Sequence, residues 1–255
     1  MTAGIFSASP ATDRAMTKSL LWRGMVAGIM AALLATMFAR LTAEPQIDLA
    51  IGYESAHAAH HGDAPMPHEE EELVSRATQK GTGLLTAMIL YGAAVGGIFS
   101  LLFAYGYGRF GQAGPRSFAL LLAGLAFLLI VIVPGIKYPQ TPPAVGSHDT
   151  VGLRTAAYFA MIALSVSGAV IASQLRAALL RSRRGIDATL LAIGGYIALV
   201  FLGQFLLPVV NEVPADYPAT LLWDFRVAAI LTQMILWATI GIAFGLWAEH
   251  VMRRQ

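Results

Sequence analysis

Residues 82–105 read TGLLTAMILYGAAVGGIFSLLFAY, without one Asp, Glu, Lys, Arg or His. A helix rises about 1.5 Å per residue and the hydrocarbon core of a bilayer is about 30 Å thick, so about 20 mainly apolar residues cross it. Bracketed by Lys80 and Arg109, this stretch is long enough to span a membrane with its charges left at the two surfaces. Five more stretches of the same kind follow on either side of it: Arg23–Leu41, Ser117–Val133, Thr155–Leu175, Ile186–Leu207 and Val227–Trp247. The first and third of the six are the shortest.

The composition of the whole chain agrees. Charged residues make up 13% and hydrophobic residues 56%, with a mean hydropathy of +0.64. Too few polar side chains exist to cover a water-soluble surface, so the chain is expected to be all-α and polytopic, with about six transmembrane helices. The 255 residues divide into a leader at 1–19 and a single transmembrane domain at 20–255. That domain carries a His- and Glu-rich loop at 42–81. Lys80, Arg154 and Arg226 each precede an even-numbered span, and small apolar residues follow each of them. This fits three helical hairpins in parallel repetition, and it equally fits basic anchors at helix ends.

An even number of spans puts both termini on one side of the membrane. Of the 17 Lys and Arg residues, 11 fall on the side of the termini and 6 on the other, with Arg181, Arg183 and Arg184 clustered on the richer side. By the positive-inside rule the termini are cytoplasmic and the protein sits in a bacterial inner membrane, in contact with lipid. The acids are distributed the other way: 12 of 15 lie outside, with five of the six histidines. A net charge of only +2, segregated in this manner, speaks for topology and against nucleic-acid binding.

An acidic, histidine-bearing outer face attracts cations. The first outer loop carries His57, His60, His61 and His68 among carboxylates that include Glu69–Glu72. On a helix, His57 and His61 would share one face. Imidazole and carboxylate together suit a divalent Co, Ni or Zn ion better than Cu(I), which prefers sulfur. The same composition also fits a solvated linker that packs no core. Two later outer loops are stiffened by proline: Lys137–Asp149 contains Pro139, Pro142 and Pro143, and Leu207–Pro218 contains Pro208, Pro214 and Pro218. His148, Asp149, Glu212 and Asp216 on these loops are candidate ligands of an ion mouth. Tyr138, Tyr217 and Trp223 read as interfacial aromatic residues, and Asp224 as a neutralising partner of Arg226.

No ionisable group lies near the middle of any span, so a buried proton relay is not offered. Gln204 and Gln233 read as interhelical hydrogen-bond donors, and Gly241 and Gly245 have the spacing of a close helix contact. There is no phosphate-binding glycine loop, no H-E-x-x-H and no cysteine. An enzyme is therefore not expected, and neither is a permanently bound cofactor.

The two proline-rich loops and the helix starts that follow them carry a resemblance. Lys137-Tyr138-Pro139, Pro142-Pro143-Ala144-Val145-Gly146 and Gly152–Phe159 resemble the CbtA family of cobalt-transporter membrane subunits. So do Asn211-Glu212-Val213-Pro214, Tyr217-Pro218-Ala219 and Leu221–Arg226. The resemblance is strong over roughly 136–247 and looser before it. It implies uptake of cobalt as Co2+ in support of cobalamin synthesis, with a small membrane partner, CbtB, that has its own His-rich segment; Ni2+ is the alternative cargo that the ligand types would suit. It brings no ligand set with it. A different role for the same chain is that of a scaffold or metal receptor serving a partner that conducts.

Overall fold

The computed structural model describes residues 10–61, 82–109, 113–143, 145–146 and 148–253. Every regular element among them is helical. They are α1 (Pro10–Thr42), α2 (Glu44–His61), α3 (Leu84–Gly106), α4 (Pro115–Ala126), α5 (Val133–Lys137), α6 (Val151–Leu179), α7 (Gly185–Leu206) and α8 (Ala219–Met252). A π-helical segment, Phe127–Ile132, joins α4 to α5, and a single 3-10 turn, His148–Thr150, leads into α6. Among the described residues, six helices are long and apolar enough to span a membrane: Met16–Thr42, Leu84–Gly106, Pro115–Lys137, Val151–Leu179, Gly185–Leu206 and Ala219–Met252. They coincide with the six apolar stretches of the sequence and outrun most of them. At 34 residues, α8 is about 51 Å long, well over the hydrocarbon thickness. Its charged early turn, with Asp224 and Arg226, therefore has room to stand outside the apolar layer.

The third span gains its length through the π-helical segment. Pro134 has no N–H to give the Ile130 carbonyl four residues back. A wider turn upstream redistributes these bonds, as the Val133 N–H reaches back to Leu128 O. The Tyr158 hydroxyl of α6 lies 3.5 Å from Ile130 O, at the outer limit of a hydrogen bond.

Two compact units divide the chain. The first contains α1, α3, α4 and the C-terminal part of α8. Here α1 and α3 cross through glycine. A Cβ at Gly28 would lie 1.9 Å from the Gly92 carbonyl oxygen, and one at Gly96 would lie 2.0 Å from that of Gly24. Lipid supplies no hydrophobic force between helices, so such backbone contact is what holds an apolar pair together. The seam sets Gly24 against Gly96 and Gly28 against Gly92, paired in opposite directions along the two helices. A second seam sets Gly241 and Gly245 of α8 against Ala123 and Ala119 of α4. Between the seams, fully buried Phe103 and Phe244 meet edge to face with ring centroids 5.0 Å apart, and Phe118 packs on Phe103 at 5.4 Å. Arg23 Nη1, in the first half of α1, donates to Trp247 O near the end of α8 at 3.3 Å. The first and last helices thus meet within this unit.

The second unit contains α2, the Phe127–Lys137 end of the third span, α6, α7 and the beginning of α8. Helices α6 and α7 form an antiparallel hairpin. Leu164 packs on Gly203, Leu199 and Tyr196 pack on Gly168, and Arg176 Nε donates to Thr189 Oγ1 near the turn. Ser165, fully buried, is 3.0 Å from the Tyr196 hydroxyl. Gln204 Nε2 lies 3.5 Å from Val133 O, which ties α7 to the third span as the sequence suggests.

Candidate functional site

At the end of the second unit opposite the α6–α7 turn, the two proline-rich loops are held in one arrangement. The Tyr138 hydroxyl donates to Pro208 O at 2.7 Å, joining one loop to the other. Lys137 Nζ donates to Gln204 O, and Arg226 Nε donates to Gln140 O at 3.3 Å. Pro142 O receives the Val145 N–H in a tight turn. Gly146 follows with φ +123°, a conformation that side chains disfavour. Its missing Cβ also leaves the room that the Arg154 guanidinium fills, since a Cβ there would stand 2.0 Å from Nη1.

Arg154 Nη1 is 3.4 Å from the Glu212 carboxylate, with the two side chains 30% and 18% exposed. Both line a cavity of about 570 Å³ whose charged walls are Lys137, Arg154, Arg226 and Glu212. Its apolar walls include Ile136, Val151 and Val209. Three elements supply the basic groups: the end of α5, the first turn of α6 and the second turn of α8.

Beside this cavity, α2 is docked through a small apolar cluster of Ala50, Val145, Tyr217 and Leu221, with Tyr53 packed against it. Tyr53 and Tyr217 meet edge to face at 5.0 Å. Burial raises the Tyr53 phenol above its ordinary value of 10.0, and its hydrogen bond to Asp216 and the charge of that carboxylate raise it further. Burial alone raises Tyr217 and Tyr138. Tyr217 is buried in the cluster.

The metal candidates of the sequence fall into two groups. His57, His60 and His61 occupy the last turns of α2, so the first outer loop opens with a helix, not a linker. Their side chains, and all of His68, lie outside the described residues. His148 opens the 3-10 turn, with its side chain outside the description, and Asp149 beside it is exposed. Glu212 and Asp216 take different partners: Arg154 for the first and Tyr53 for the second. Among the described residues no three His, Asp or Glu side chains converge as a ligand set. What the sequence reading did not single out is the basic lining of the cavity. Arg154 and Arg226 stand out in the sequence only as basic residues at helix starts. Nothing there ties them to Lys137 or to Glu212. For Arg226 the structure gives Gln140 as partner, not the neighbouring Asp224.

A family model, CbtA, described as a probable cobalt transporter subunit, matches residues 17–249. No curated protein and no solved structure matches the chain.

Proposed function

The chain belongs to the CbtA family, and from that premise we propose that it is the inner-membrane subunit through which a divalent transition metal, Co2+ in the first place, is taken up for cobalamin synthesis. Both termini face the cytoplasm in this reading, and a small membrane partner, CbtB, completes the transporter. The observation that carries it is the coincidence of a transporter-subunit family with a preorganised, carboxylate-bearing cavity at the loop end of the spanning helices. His57, His60, His61 and His68 collect the ion on the acidic outer face. His148, Asp149 and Asp216 belong to the approach, and Glu212 is the carboxylate that meets the ion at the cavity. Arg154 is then the counter-charge that the ion displaces from Glu212.

Inward movement needs no chemistry from the chain. A membrane potential supplies about 2.3 kcal/mol per charge per 100 mV, hence about 4.6 kcal/mol for a divalent ion. The contrasting role is a scaffold or metal receptor serving a conducting partner. Metal flux into liposomes that hold this chain alone, and then this chain with its partner, separates the two. Run with Co2+, Ni2+ and Zn2+, the assay is expected to give Co2+ flux that depends on this chain. Flux from the partner alone, unchanged on adding this chain, would overturn the transport role.

A further inference from the structure

The charge balance of the cavity does not suit a bare cation. Lys137, Arg154 and Arg226 line it against the single carboxylate of Glu212, so its lining is net positive. A divalent ion approaching unaccompanied meets repulsion from two more basic groups than acidic ones, in a site partly screened from water. Volume points the same way. A metal ion with about six waters needs on the order of 200 Å³. A cavity of about 570 Å³ belongs instead to the size class of small organic ligands. The basic groups are also positioned before any ligand arrives. Gln204 O holds Lys137 and Gln140 O holds Arg226, each through one donor, leaving the other N–H groups of both side chains available.

We propose that this cavity is a binding site for a small organic polycarboxylate and for the complex of such an anion with the metal. Separate basic side chains at the ends of three elements match the separated carboxylates of a di- or tricarboxylate, and the Arg226 guanidinium can take one in a two-pronged bond. Glu212 gives the site its preference for the loaded form. Toward a free polycarboxylate it is a repelling charge, whereas toward the chelate it offers the metal one more oxygen ligand. This inference rests on the metal-transport reading for its second half, the chelate, and on the cavity alone for its first.

The test uses citrate as probe and the full chain in nanodiscs, with binding followed by calorimetry. Metal-free citrate is expected to bind, and Co2+–citrate to bind several-fold more tightly. Lys137→Gln with Arg226→Gln should weaken both at least tenfold, while Arg226→Lys, which keeps the charge but loses the two-pronged bond, should weaken them less. Glu212→Gln should tighten metal-free citrate binding and abolish the advantage of the cobalt complex. Melting temperature checks each variant, and Arg226→Gln alone replaces the double variant if that one does not fold. Absence of citrate binding, or affinity unchanged in the neutralised variants, overturns the proposal. So does tighter binding of glycerol 3-phosphate than of citrate in the same nanodiscs, which would assign the cavity to a headgroup phosphate. Cobalt flux without citrate binding removes this site and leaves the transport role, and citrate binding without flux does the reverse.

Discussion

Gly28 and Gly92 bring the backbones of α1 and α3 into direct contact, so that a Cβ on Gly28 would stand 1.9 Å from the Gly92 carbonyl oxygen. The obstacle is backbone, which cannot rotate away as the tip of a side chain can. Gly52 on α2 is the natural contrast, with nothing within 4 Å of its Cβ position. The two glycines separate a packing role from a purely conformational one.

Gly28→Ala is therefore expected to lower stability by about 1–3 kcal/mol, since the helices must move apart to admit the methyl group. Gly52→Ala should be neutral or gain up to about 1 kcal/mol from helix propensity. Melting temperatures in one detergent check both. Equal temperatures for the two variants would remove the backbone contact as a determinant of the fold.

Topology follows from the 11-to-6 distribution of basic residues. The chain has no cysteine, so single-cysteine variants report cleanly. Ser55→Cys on the exposed face of α2 should react with an impermeant maleimide in intact cells, and Ser182→Cys in the α6–α7 turn only after permeabilisation. The opposite pattern would invert the orientation proposed here.

The docking of α2 has a pH signature. The Tyr53 phenol is raised above 10.0 by burial and by Asp216. A folded-state value above the unfolded one means that its contribution to stability is fully present below about pH 10 and is lost as pH rises through the folded value. At neutral pH no change is expected. In an ultraviolet titration, Asp216→Asn should bring the ionisation of Tyr53 down toward 10, and Tyr53→Phe should remove one late-titrating tyrosine. A tyrosine titration identical in all three proteins would sink the Tyr53–Asp216 bond.

How far the sequence carried the fold depends on what each feature is made of. Spans are legible because twenty apolar residues leave little choice in a bilayer, and all six lie where residues 23–247 place them. Partners are not legible in the same way. Gly241 and Gly245 announce a close contact, yet only the structure names Ala119 and Ala123 as its other side. The proline-rich loops were visible as stiff segments, and the carboxylates of Glu212 and Asp216 were visible on them. Their divergence, one to Arg154 and one to Tyr53, depends on contacts between residues 58 and 163 positions apart, which no local pattern encodes. The basic lining of the cavity was hidden for a further reason: lysine and arginine at helix ends are so common as membrane anchors that position alone gives them no special meaning.

The last prediction separates structure from transport at Glu212. Its partner Arg154 is only partly buried, so breaking the pair costs an intermediate amount, about 1–2 kcal/mol, below the value for a fully buried pair. Glu212→Gln and Arg154→Gln should each lower the melting temperature. The double variant should recover part of the loss, because neither charge is then left uncompensated. Transport should not follow that recovery. If Glu212 meets the metal, maximal cobalt uptake falls several-fold in Glu212→Gln and stays low in the double variant, at matched protein levels. Replacing His57, His60, His61 and His68 with Ala together should act differently, raising the metal concentration needed while maximal uptake is retained. That histidine effect should fade as pH drops through about 6.5, where protonated imidazole no longer binds metal in either protein. Uptake in the Arg154→Gln/Glu212→Gln double variant that returns with its melting temperature would make Glu212 a structural residue and no more.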